Sequence, residues 1–361
     1  MSPLHAPFVR LARAFGVFCL LAVGAVAARA TDTDFPAHSG KATETLVIAS
    51  ITDLRAFRPL IEGFQKRYPD VAIHYSETTS EYLDAAMASA CKQKQFAADL
   101  VISSSIAAQV QQVNNGCAQK IGGTAAASLP DFAKWRGELV GVTFEPAVIV
   151  YNKAGIAPAE VPQDRFSLVD LLREPGRFDG RIGTYDIERS GVGYIFAFED
   201  ALQASTWGRL IESFGRNRAQ TFCCTSEILD RVADGRLLFG YNVLGSYALA
   251  RQQTDDRIGI IFPSDYTLVL ARAAYIPREA RAAAVASLFL DYLVSSEGRA
   301  LLAGPPQLFS PVDGPAVLSK LTSDGEQTLR TIGLNPTLLV ALDKQKKRSF
   351  IQQWQQSLAP R

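Results

Sequence analysis

Histidine is nearly absent: His5, His38 and His74 are the 3 in 361 residues. So few imidazoles leave little from which to build a His-based metal site or a His-dependent catalytic triad. No Gly-x-Ser-x-Gly turn occurs, which removes the nucleophile elbow of α/β hydrolases. Cys-x-x-Cys is missing as well. An excess of one charge sign is lacking too. The formal net charge is +1, and it becomes −2 without the three arginines of residues 1–30. Neither nucleic acid nor an anionic membrane is therefore an expected partner. After the N-terminal region no segment is long and apolar enough to cross a bilayer.

What the chain does have begins with an export pattern. Arg10 and Arg13 precede an apolar run from Ala14 to Ala28, and Ala28-Arg29-Ala30 fits a small-x-small cleavage site. Residues 1–30 are expected to be a signal peptide, with the mature chain starting near Thr31 in the periplasm. An uncleaved anchor is the rival reading. Cys19 leaves with the signal, and Cys91, Cys117, Cys223 and Cys224 remain in a compartment that permits disulfides. Cys91–Cys117 is the natural long-range pair, whereas the adjacent Cys223 and Cys224 either form a vicinal disulfide or stay as thiols. Four cysteines allow three pairings, and sequence does not choose among them.

The length favours two lobes over one core. Residues 31–44 are polar and read as a flexible leader. Thr45–Ser50 is a continuous apolar strand, followed by a helix with Phe57, Leu60, Ile61 and Phe64 on one face. Strands at Val71–Tyr75 and Asp99–Ile102, each followed by a helix, continue a β-α-β-α-β-α series that predicts a parallel sheet covered on both faces. Val142–Tyr151 reads as a strand pair crossing to a second lobe. Ile258–Phe262 and Leu268–Ala271 read as the return. The expected lobes are residues 45–144 plus 266–310, and 145–265 plus 311–361. The basic residues Lys344, Lys346, Lys347 and Arg348 read as the solvated face of a last helix.

Polar turns stand at the predicted carboxyl ends of strands, where open α/β sheets bind ligands. Arg181–Tyr185 is a strand end, Ser190-Gly191-Val192-Gly193 a turn, and a helix is expected from Tyr194. Its unpaired first amides and its dipole favour an anion. Asp186, Arg189, Ser190 and Gly191 lie at that turn. Ser50, Thr52 and Asp53 end one first-lobe strand, and Ser103 and Ser104 another. Asn242 and Ser246 follow the strand at Leu237–Tyr241. Arg189 and the amides after Ser190 are expected to hold an anionic end, with Asp53, Ser104 and Asn242 completing polar contacts from both lobes. Tyr185, Tyr241, Tyr247 and Tyr266 are candidates to pack on an organic body. Ser, Thr and Asp at these positions also serve as ordinary helix caps.

Four runs carry a family resemblance: Phe57-x-x-Leu60-Ile61-x-x-Phe64-x-x-x-Tyr68-Pro69, Ala98–Ser104, Pro146–Asn152, and Leu290-Asp291-Tyr292-Leu293-x-Ser295-x-Glu297-Gly298. Over roughly Leu46–Leu302 the chain resembles the periplasmic solute-binding proteins of ABC transporters, nearest the ferric-iron-type group, whose relatives bind thiamine or sugar phosphates. The resemblance implies an α/β, two-lobe periplasmic binding protein fold of type II with a two-strand hinge and an interlobe cleft. It also implies a monomer without catalysis or cofactor that delivers solute to an inner-membrane permease, or in some cases presents it to a sensor histidine kinase. The ferric pattern has an adjacent Tyr-Tyr pair where this chain has Tyr241-Asn242-Val243-Leu244-Gly245-Ser246-Tyr247. A ferric site needs hard anionic oxygens. Hydroxyls, amides, Arg189 and helix starts suit a small carboxylate, phosphate ester or similar anion better.

Overall fold

A computed structural model describes residues 30–203, 206–322 and 328–359. The expected signal peptide lies outside the described residues except for Ala30. The first lobe opens with β1 (Thr31–Phe35), β2 (Glu44–Ser50), α1 (Leu54–Arg67), β3 (Val71–Glu77), α2 (Ser80–Gln93), β4 (Leu100–Ser103) and α3 (Ile106–Asn114). The short α4 (Ala125–Ser128), β5 (Lys134–Trp135) and β6 (Leu139–Gly141) follow.

β1 corrects the expectation of a flexible leader over 31–44. Thr31–Phe35 pairs antiparallel with β3, Thr31 opposite Glu77 and Phe35 opposite Ile73. The segment is too polar to announce itself by hydrophobic pattern, but its backbone fills the otherwise open edge of β3. Only Phe35 is buried in it, under the Arg58 guanidinium 4.9 Å from its ring.

α1 buries Phe57, Leu60, Ile61 and Phe64 at helical spacing. The rings of Phe57 and Phe64 meet Phe289 at 6.1 and 4.9 Å between centroids. Full burial of each such side chain is worth about 1.5–3 kcal/mol.

The second lobe contains β7 (Glu145–Asn152), α5 (Arg165–Leu171), β8 (Ile182–Tyr185), α6 (Gly191–Gln203), α7 (Trp207–Arg216), β9 (Gln220–Phe222), α8 (Thr225–Ala233), β10 (Phe239–Leu244), α9 (Gly245–Gln252), β11 (Ile258–Ile261) and β12 (Thr267–Leu270). The chain then re-enters the first lobe with β13 (Ala273–Tyr275), α10 (Ala283–Val294) and α11 (Ser296–Ala303). It ends with α12 (Gly314–Leu321), β14 (Leu329–Ile332), a 3-10 turn at Pro336–Leu342 and α13 (Lys344–Leu358). The first sheet runs β1-β3-β2-β4-β13-β6-β5, and the second runs β14-β12-β7-β10-β8-β9 with β11 also on β7. The architecture is the α/β two-lobe periplasmic binding protein fold.

The outward crossing falls at residues 142–144, between β6 and β7. The return does not lie at 258–271. β11 and β12 both pair antiparallel with β7, so they belong to the second sheet, and the chain crosses at Ala271-Arg272. Residues 267–270, allotted to the first lobe by sequence, therefore stand in the second. A buried strand reads the same in either sheet, so its composition carries no lobe label. A third passage accompanies the two: Phe144 N donates to Phe309 O at 2.6 Å, and the chain goes on to β14, which pairs with β12.

Candidate functional site

A cavity of about 240 Å³ lies between the lobes at the carboxyl ends of β2, β3, β4 and β8. The lobes touch around it. Ser80 Oγ in the first lobe donates to Arg189 O at 3.2 Å and accepts from Gly191 N at 3.0 Å in the second. Asp53 N donates to Tyr247 Oη at 3.3 Å.

α6 starts at Gly191, three residues before the expected Tyr194, with Ser190 Oγ accepting from Gly193 N at 3.2 Å. Glycine is required at 191 because a Cβ there would collide with Ser105 of the first lobe. The amide-rich start of α6 is thereby pressed into the cleft.

Six of the expected residues line the cavity: Asp53, Ser104, Tyr185, Arg189, Ser190 and Tyr247. Arg189 is exposed and makes no ion pair among the described residues, so its guanidinium is open to a ligand. Tyr185 is buried, and its hydroxyl lies 2.5 Å from Thr225 Oγ1.

The other nine expected residues do not line it. Ser50 Oγ accepts from Thr52 N at 3.0 Å and Ser103 Oγ from Ser105 N at 2.9 Å, so both shape their own turns. Asp186 likewise accepts from Glu188 N at 3.0 Å. Gly191 supplies the close approach just described. Ser246 Oγ donates to Glu145, and Thr52 Oγ1 accepts from Arg272.

Tyr241, Asn242 and Tyr266 are committed to a buried network inside the second lobe. All three donate to the carboxylate of Asp200 on α6, at 2.8, 2.6 and 2.7 Å. Arg165 donates to the same carboxylate at 3.3 Å and to Tyr241 Oη at 2.7 Å. A buried carboxylate needs such partners, and these side chains are consumed in supplying them. β10 is buried along its whole length, which is why its tyrosine faces core rather than cleft.

One residue that sequence reasoning missed is Arg272. It sits at the return crossing, is 1% exposed, and lines the cavity. One guanidinium nitrogen donates to Thr52 Oγ1, a second lies 3.4 Å from Glu145 Oε1, and the third, Nε, is buried with no hydrogen-bond partner among the described residues. The carbon at the centre of its guanidinium is 5.7 Å from the centre of the Tyr247 ring. Burial works against its charge, but the oxygens of Tyr247 and Glu145 outweigh it and hold the group protonated. Arg272 is the only charge in Thr267–Ile276, and that is the mark by which it is found. Glu77 and the Cys223–Cys224 pair also line the cavity and were not anticipated there.

In the structure Cys91 is joined to Cys117, with Cα atoms 5.4 Å apart. The neighbours Cys223 and Cys224 are joined to each other. Among the described residues no three His, Cys, Asp or Glu gather as a metal site, and no helix is long and apolar enough to cross a membrane.

Residues 46–304 match the model of the bacterial extracellular solute-binding proteins. The chain belongs to that family. Family members bind solutes, and this chain is a binding protein rather than an enzyme. Among solved structures it is similar to the substrate binding protein of the ABC transporter from Agrobacterium tumefaciens, with 34% identity, TM-score 0.86, and 92% of this chain and 99% of that one covered. The periplasmic binding protein AfuA from Actinobacillus pleuropneumoniae, bound to fructose 6-phosphate, shares 18% identity at TM-score 0.68, over 88% of this chain and 99% of that one. Iron-bound HitA from Pseudomonas aeruginosa shares 13% at 0.59, over 77% and 99%. The last two likenesses are of fold alone. No curated protein matches the sequence. The solute-binding protein is thus the substrate-binding component of an ABC transporter, a periplasmic role.

Proposed function

We propose that this protein captures a small anionic solute in the interlobe cavity and hands it to an inner-membrane ABC permease. The observation that carries the reading is Arg272: a fully buried guanidinium at the hinge, on the cavity wall, whose Nε has no hydrogen-bond partner among the described residues. Leaving a charged donor without an acceptor is costly, and an anion in the cavity removes that cost. Arg189 and the first turns of α6 and α8 add positive potential from the second lobe. Contacts from both lobes favour the closed arrangement over the open one, so ligand binding and hinge closure are the same event. Ferric iron is the weaker reading. The tyrosines nearest a ferric pattern are separated, and Tyr241 is spent on Asp200.

Calorimetry tests this with the anion that most raises the melting temperature in a panel of phosphates, carboxylates and sulfonates. Arg272→Gln and Arg189→Ala are each expected to weaken it about tenfold to a hundredfold, the scale of one charge-assisted hydrogen bond. An affinity unchanged in both variants overturns the proposal.

A further inference from the structure

The cavity that holds Arg189 and Arg272 also holds two carboxylates, Asp53 and Glu77. A site built for a bare anion has no use for them. Like charges facing a ligand in a small, partly desolvated space oppose its binding.

Their local geometry makes their presence harder to dismiss as capping. Asp53 occupies the N-cap position of α1, where an aspartate ordinarily turns back to accept from helix amides, yet it makes no such bond. Glu77, from the end of β3, does that work instead: its Oε2 accepts from Leu54 N at 2.8 Å. Asp53 lines the cavity instead, with the Tyr247 hydroxyl beside its carboxylate. The second oxygen of Glu77 makes no hydrogen bond among the described residues. Burial raises the Glu77 carboxyl above its ordinary value, the Leu54 amide pulls it down, and Asp53 raises it further. A cation beside the pair relieves both effects.

Tyr247 meets groups of both signs, with the Arg272 guanidinium toward its ring and the Asp53 backbone at its hydroxyl. We infer that the solute is a zwitterion of a few carbons, with its anionic group at Arg272 and Arg189 and a primary ammonium at Asp53 and Glu77. The cavity of about 240 Å³ suits a molecule of that size, since the pockets that hold drug-sized ligands run to roughly 300–1,000 Å³.

This inference rests on the anion-capture reading and is tested separately from it. The probes are two matched pairs: phosphoethanolamine with ethyl phosphate, and γ-aminobutyrate with butyrate. In calorimetry at least one amino member is expected to bind tenfold or more tightly than its amine-free partner. Asp53→Asn is the decisive variant, because Thr31 pairs with Glu77 and a processed amino terminus there would itself neutralise Glu77. Asp53→Asn should weaken the amino member at least tenfold and leave the amine-free partner unchanged or tighter. Glu77→Gln, which keeps an acceptor for Leu54 N, should act in the same direction. Melting temperatures of the free variants report whether they fold. The inference is overturned if the amine-free partner binds as well in wild type, or if Asp53→Asn weakens both members alike. It is also overturned if neither pair binds while another anion, such as fructose 6-phosphate, does; the anion reading then survives. If no anion binds, both fall.

Discussion

At the residue scale the site is decided by which polar groups are already satisfied. Tyr241, Asn242 and Tyr266 looked like cleft residues because they follow strands, but Asp200 claims all three. A sequence does not show that claim, since Asp200 is 41 or more positions away from each of them. Arg272 was legible in principle, as a single charge within an apolar run, and Arg189 and Asp53 were legible from their turns. A partly buried acid makes a titration prediction. Asp84 on α2 accepts from Ser105 Oγ at 2.5 Å. Burial pushes its carboxyl up to about 7, against the downward pull of Ser105 and Lys347. The folded chain therefore holds this proton more tightly than the unfolded one. The stability Asp84 contributes is present in full below its unfolded value near 4 and is lost as pH rises through about 7. Asp84→Asn, whose amide oxygen still accepts from Ser105, should be more stable than wild type at pH 8 by on the order of 1 kcal/mol. In urea titrations that advantage should shrink at pH 5. An advantage of equal size at both pH values contradicts the assignment.

At the element scale the strand–turn–helix units were readable wherever apolar spacing was strong, as in α1 and β2. The two failures have one cause. β1 is too polar, and β11 and β12 too uniformly apolar, for pattern to say where their backbones pair. Strand pairing depends on which edges are open, which is a property of the sheet rather than of the segment. The start of α6 shows how an element shapes the cleft. Gly191 lets it touch Ser105 across the lobes, so Gly191→Ala should hinder closure without harming the helix. The melting temperature of the free protein should stay close to that of wild type. Affinity for the best anion in the panel should drop tenfold or more. Unchanged affinity would mean that this contact plays no part in closure.

At the scale of the whole molecule, two sheets are joined by crossings at 142–144 and 271–272, with a third passage beside them. Arg272 on one crossing is linked to Glu145, the first residue after the other. In the proposed capture the charge offered to the ligand is anchored at the pivot, and each lobe brings its own strand ends toward it. Hydrogen-exchange mass spectrometry on the full protein, with and without the anion that stabilises it most, tests this most directly. The account predicts slowed exchange in both Thr78–Ser80 of the first lobe and Ser190–Val192 of the second, together with the Arg272 segment. Protection confined to one lobe, or lying outside the cleft altogether, would contradict it.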